Sequence, residues 1–425
     1  MQRGGVRVDA AVASATAGVF IATGGPSIWL TNRIAHNGYD IEAWPYLYPF
    51  ALLGVIGLVG LSRLRFESDL LQKLAIGAAA MYGAWALLSV TWSVAPFYTA
   101  VRSLLAAGVV GFAVWFGAAL SRTRQLRAVS SAMGVAVAAS AALVHFRPLE
   151  GGGYWDGERN IFFRGIFANS NSLGPVCVVG VISFVASALL TRRLAAQVIR
   201  SVLTLISLWL LWRSGSDTAH AALAIVILLG LVGLLLWFAY FRGVPTRVLL
   251  VAPGVVASIG LVVVIAKFWQ LSDLLTADPT FGGRREIWTR VLELIPERLW
   301  QGHGYWAYIN GPPPVDPILL SNGTTHDSVL EVLLGLGMVG LVPFLATACL
   351  AVLQVIRHLR RKLDVISLWQ AGLVLVVLLE NVTESFVLFY SYIWVLLIAA
   401  SVASPKDRTT AGQALAADLV TSSSS

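Results

Sequence analysis

Apolar runs close to the roughly 20 residues that an α-helix needs to cross a bilayer recur along this chain, and no other feature narrows its fold so far. They fall at about 8–30, 43–62, 73–92, 100–120, 128–146, 171–190, 196–212, 218–241, 247–268, 327–356, 365–380 and 383–403. In a chain that is 57% hydrophobic and 12% charged, these twelve runs predict an all-α integral membrane protein with about 12 transmembrane helices in a single polytopic domain, 1–425. The first run is interrupted by Thr23-Gly24-Gly25-Pro26, and the last two are separated only by "ENVTE".

Basic residues are retained on the cytoplasmic side of short loops, so the 30 Lys and Arg set the orientation. With both termini cytoplasmic, 19 of the 30 fall inside, among them Arg122, Arg124, Arg127, Arg192, Arg193, Arg357, Arg360 and Arg361. Five of the others, Lys267, Arg284, Arg285, Arg290 and Arg298, share one long external segment, a kind that crosses regardless of charge. The net charge of +8 is therefore a topology signal and does not point to nucleic acid. Cys177 and Cys349 both fall inside predicted spans, which indicates neither a disulfide framework nor a metal cluster. Arg3 and Arg7 before an apolar run imitate a signal peptide, but the length of the run and the spans that follow favour an uncleaved first helix.

Two external segments exceed what a connector needs, the loop 147–170 and the large loop 269–325, while 404–425 reads as a cytoplasmic tail. Within the large loop, "GGRREIWTRVLELIP" places Ile287, Trp288, Val291, Leu292, Leu294 and Ile295 at close to helical spacing, with Arg284, Arg285, Glu286 and Arg290 opposite. This predicts an amphipathic helix lying on the outer membrane surface. The Pro- and Gly-rich remainder, "YINGPPPVDPILLSNGTT", predicts an irregular lid.

Chemistry concentrates where "TTHDSVLEVLLGLGMVG" (324–340) opens a span. Thr324 with Asp327 three positions on predicts a capping box that puts His326 in the first helical turn. The positive end of a helix dipole disfavours an imidazolium, which would leave His326 available as a proton acceptor. A histidine merely satisfied at the membrane interface is the plain alternative. The glycines of "GLGMVG" match a dinucleotide-binding string, but they lie inside an apolar helix without a preceding strand, so they read as packing positions.

External arginines form a second group: Arg164 before "GIFANSN", Arg213 before "SGSD", and the pair Arg284 and Arg285. Guanidinium groups bind phosphate oxygens in pairs, so several converging would hold a diphosphate without a metal, whereas a single one more often snorkels to headgroups. Asn169 and Asn171 enter one span and Asp217 opens another, suited either to a wet cavity or to helix caps. Trp288 fits an aromatic interface belt or a sugar-stacking surface, and His303, flanked by glycines, reads as loop architecture.

"RGIFANSNSLG", "GGRREIWTRVLELIPERLWQGHGYW" and "THDSVLEVLLGLGMVGL" together resemble, in order and placement, the motifs of the O-antigen ligase and O-antigen polymerase superfamily. Asp327 stands where that family more often has asparagine, and in "SGSDTAHAAL" Asp217 takes the position of a usual arginine. The resemblance implies a C-type membrane glycosyltransferase of the bacterial inner membrane, metal-independent and without a cofactor. Its donor would be a glycan on undecaprenyl diphosphate and its acceptor a lipid or glycan outside that membrane. Carried onto these residues, it implies that His326 activates the acceptor hydroxyl or assists the leaving group while Arg284 and Arg164 hold the diphosphate. A polymerase extending lipid-linked repeats is the near alternative. A flippase is the alternative from another class, disfavoured because charges in the middle of spans are nearly absent.

Overall fold

The computed structural model describes residues 9–27, 44–63, 69–154, 161–241, 284–310, 324–385 and 391–403. The predicted span 247–268, the Pro-rich stretch 311–323 and the tail 404–425 lie outside them. The described chain is mainly helical: α1 Ala10–Ala22, α2 Trp44–Ser62, α3 Leu70–Leu88, α4 Pro96–Ala119, α5 Arg122–Phe146, α6 Ser170–Leu190, α7 Leu194–Ser214, α8 Asp217–Phe241, α9 Arg284–Leu294, α10 Ser328–Arg361, α11 Val365–Thr383 and α12 Tyr392–Ser401. Between α5 and α6, strands β1 (Gly152–Tyr154) and β2 (Ile161–Phe163) form a small antiparallel hairpin.

Seven helices among the described residues are long and apolar enough to cross a membrane: α3 with its following turn, α4, α5, α6, α7, α10 and α11. This is a polytopic membrane protein. Helix α12 has only 10 residues but is buried on every side against α4 and α10, which is why its sequence is apolar all round. Helix α2 crosses α4 through glycines, a Cβ on Gly57 meeting the Phe112 backbone nitrogen at 2.5 Å. Close backbone approach of this kind replaces the hydrophobic drive that lipid cannot supply.

Two boundaries differ from expectation. The "ENVTE" separator does not end a span at 380, because α11 runs on through Asn381 to Thr383 and Glu384 becomes its C-cap. The predicted shaft of α10 is broken at Gly337 (φ 66°, ψ −168°), a conformation open essentially to glycine alone. The segment 299–304 inserts there: Met338 and Val339 donate backbone N–H bonds to Leu299 and Trp300, and His303 and Gly304 donate to Leu334 and Gly335. The "GLGMVG" glycines thus admit a loop rather than a neighbouring helix.

The helices present two chemically distinct ends. At one, Asp69 caps α3 and pairs with Arg357, Arg122 Nη1 donates to Ser367 Oγ at 3.0 Å, and Lys362 lies 3.4 Å from Asp364. The other end gathers the starts of α6 and α10, the end of α11 and all of α9. The buried Arg102, Glu331 and Glu380 each sit within two turns of an end of their helices.

Candidate active site

Helix α9 forms where its sequence predicts. Ile287, Val291, Leu294 and Ile295 are buried against Tyr308 and Leu334, with Leu330 and Leu333 alongside, while Leu292, expected on the same face, is exposed. This brings Arg284, the first residue of α9, to the start of α10.

His326 sits three helix positions earlier than the capping box predicts, immediately before the N-cap. Asp327 is the N-cap of α10, its Oδ1 accepting the Leu330 N–H at 2.8 Å, whereas the Thr324 hydroxyl accepts the His326 N–H at 3.1 Å. His326 is therefore outside the first turn, with a left-handed φ of 52°. For a non-glycine residue that conformation costs on the order of 1 kcal/mol and persists only where the surroundings enforce it. They do so on both sides. Thr325 donates its N–H to Glu331 Oε2 at 2.7 Å, its carbonyl accepts from Trp288 Nε1 at 2.8 Å, and the Asp327 N–H donates to Ser385 Oγ at 3.1 Å.

The imidazole points at a residue that the sequence reading passed over. His326 Nδ1 lies 3.0 Å from Glu384 Oε2. The other carboxylate oxygen, Oε1, accepts from Arg284 Nη2 at 2.6 Å and from Asn171 Nδ2 at 3.0 Å. One carboxylate thus joins the start of α9, the start of α6 and the approach to α10. A carboxylate beside Nδ1 holds the ring proton there and leaves Nε2 as a lone-pair acceptor. The available signal for Glu384 was a charged residue closing an apolar run, in "ENVTES", 58 positions from its partner histidine.

The remaining candidates have contacts of their own. Asn169 caps α6, accepting from the Ser172 N–H at 2.8 Å. Arg164 Nε donates to the Glu150 carbonyl at 2.9 Å, and burial lowers its guanidinium from the ordinary arginine value. Arg213 stacks over the Phe163 ring, 4.8 Å from its centroid, which anchors the hairpin. Arg285 is exposed on α9, and Asp217 is exposed at the start of α8. His303 is buried in the inserted loop against Tyr308, as its glycine neighbours predict, and burial lowers its pKa. Asp327 is pushed above the ordinary carboxyl value by burial, against the opposing N–H groups of Leu330 and Val329. Among the described residues no group of three or more His, Cys, Asp or Glu side chains is arranged to hold a metal ion.

Compared with known proteins, residues 202–345, from α7 into α10, match the family model described as Wzy_C, O-antigen ligase. No curated protein matches the chain.

Proposed function

From the match of segment 202–345 to the O-antigen ligase family model, we propose that this protein transfers a glycan from undecaprenyl diphosphate to an acceptor on the outer side of the bacterial cytoplasmic membrane. The observation that carries the proposal is convergence: Arg284 and His326, remote in sequence, both lie within 3.0 Å of one carboxylate. In the proposed step, the acceptor hydroxyl oxygen attacks the anomeric carbon and its proton passes to His326 Nε2. The bond from that carbon to the diphosphate breaks, and its electron pair leaves with the lipid diphosphate. Arg284 and Arg164 offset the charge that develops there, with Arg285 and Arg213 as further contacts. Asn169, Asn171, Trp288 and Asp217 line the path of glycan or carrier. Positioning plus electrostatic stabilisation suffices for this chemistry without a metal. The arginine-rich end, by the positive-inside tendency, is the cytoplasmic one.

The test is direct. Purified protein given a lipid-linked donor and an acceptor, with a chelator present, is expected to release polyprenyl diphosphate. His326→Ala and Arg284→Ala are each expected to abolish release. Full turnover in the His326→Ala variant would sink the catalytic role, and a strict divalent-metal requirement would sink the arginine clamp. Glycan chain lengths in a deletion strain separate attachment from polymerisation, since loss of the long chains themselves points to a polymerase.

A further inference from the structure

We infer that Glu384 is a positioning residue that Arg284 and His326 share, and that the donor's diphosphate competes with it for Arg284. The inference rests on the glycan-transfer reading and extends it to a residue and to an order of events. Glu384 contacts the proposed base through Oε2 and the proposed phosphate ligand through Oε1, and its side chain is only 13% exposed. At that burial the Arg284 bond is not a screened surface contact, so it holds the guanidinium in place until a stronger anion arrives.

A diphosphate is such an anion. It carries more charge than one carboxylate and presents oxygens in pairs to the planar guanidinium. When it draws Arg284 away, the carboxylate keeps Asn171 and His326 as its hydrogen-bond partners. Its negative charge then serves the imidazole alone, fixing Nδ1–H and stabilising the positive charge the ring gains as Nε2 takes the acceptor proton. Donor binding therefore precedes full activation of the base. In this arrangement an acceptor hydroxyl is not deprotonated before a donor is loaded. The asymmetry is the signature of the device: Glu384 opposes donor binding and promotes turnover.

A residue with a purely architectural role would move both quantities the same way, so one variant distinguishes the two. Glu384→Gln keeps the shape and removes the charge. Inorganic pyrophosphate binding to the full-length protein in lipid nanodiscs, read by calorimetry, is expected to tighten about three- to tenfold in Glu384→Gln, and binding is expected to disappear in Arg284→Ala. Turnover of the lipid-linked donor by Glu384→Gln is expected to fall about 100-fold or more, the range for an impaired general base. Unchanged or weaker pyrophosphate binding overturns the competition, and turnover within twofold of the parent overturns the positioning role. Should Glu384→Gln lack a cooperative melting transition, Glu384→Asp carries the test, because its shorter arm keeps the charge but does not span both partners. It is expected to show the same opposite changes at smaller amplitude, and parallel changes overturn the inference. A parent protein that binds pyrophosphate in this pattern yet transfers nothing from the donor overturns the glycan-transfer reading and leaves the competition standing.

Discussion

Trp288 donates its indole N–H to the carbonyl of Thr325 at 2.8 Å, which pins helix α9 to the residue immediately before His326. The Trp288 ring suits sugar stacking or an interface belt, while its polar edge faces inward. Trp288→Phe keeps the ring and deletes the donor, at a cost of about 1 kcal/mol. Because the bond supports a left-handed backbone at His326, that cost is expected to appear as misplacement of the base. Turnover should fall about tenfold while the melting temperature stays within about 2 °C of the parent. A large melting shift with unchanged turnover would mean that the bond is only structural.

The seam between the inserted loop and the break in α10 leaves no room for a side chain. Gly302 has φ +69°, and a Cβ there would lie 2.4 Å from the Gly335 carbonyl carbon. Gly302→Ala is expected to lower stability by about 2 kcal/mol or more, combining strain with backbone displacement. Gly77 in α3 supplies the control, since nothing lies within 4 Å of a Cβ there. Gly77→Ala is expected to leave stability unchanged or raise it by about 0.5–1 kcal/mol. Thermal unfolding in one detergent measures both, and equal melting temperatures for the two variants would refute the close seam.

Asp327 carries a pH-dependent prediction. Burial raises its carboxyl above the ordinary 3.8, so the fold favours the neutral acid. The penalty for ionisation is absent below the unfolded value and grows as pH rises through the raised folded value. Asp327→Asn retains an oxygen for the Leu330 N–H and removes the charge. The variant is expected to match the parent near about pH 3 and to be the more stable of the two at about pH 7. A parent that is more stable than the variant at neutral pH would show that the ionised cap is favourable.

Asn171 offers a narrower test of the carboxylate's surroundings. Its amide is one of three partners of the Glu384 carboxylate among the described residues, contributed by the start of α6. Asn171→Ala is expected to reduce turnover about three- to tenfold, less than Glu384→Gln, because the carboxylate keeps its charge and its bond to His326. Melting curves and initial rates on the same preparations check it.

Local pattern determined the outline of this protein. Apolar runs of bilayer length located α3, α4, α5, α6, α7, α10 and α11 to within a few residues, because lipid leaves the backbone no partner but its own helix. The alternation of apolar and charged residues from Ile287 to Ile295 likewise located α9 and the face it buries. Even the neighbourhood of His326 was legible, since histidine beside aspartate at the mouth of a span is unusual chemistry for its depth.

What the pattern left open was decided between elements distant in the chain. Thr324 and Asp327 are both competent caps, and only packing against Ser385 and Glu331 selected Asp327 and turned His326 into a left-handed position outside the helix. Gly337 has no side chain to announce a break, and the break exists because the loop from Leu299 supplies replacement hydrogen bonds. Glu384 read as the end of an apolar run, but its partners on α6, α9 and the approach to α10 come together only when α11 packs beside them. A helix, once long enough, is determined by its own residues; a shared carboxylate requires three chains of contact to meet, and tertiary packing alone brings them to one point.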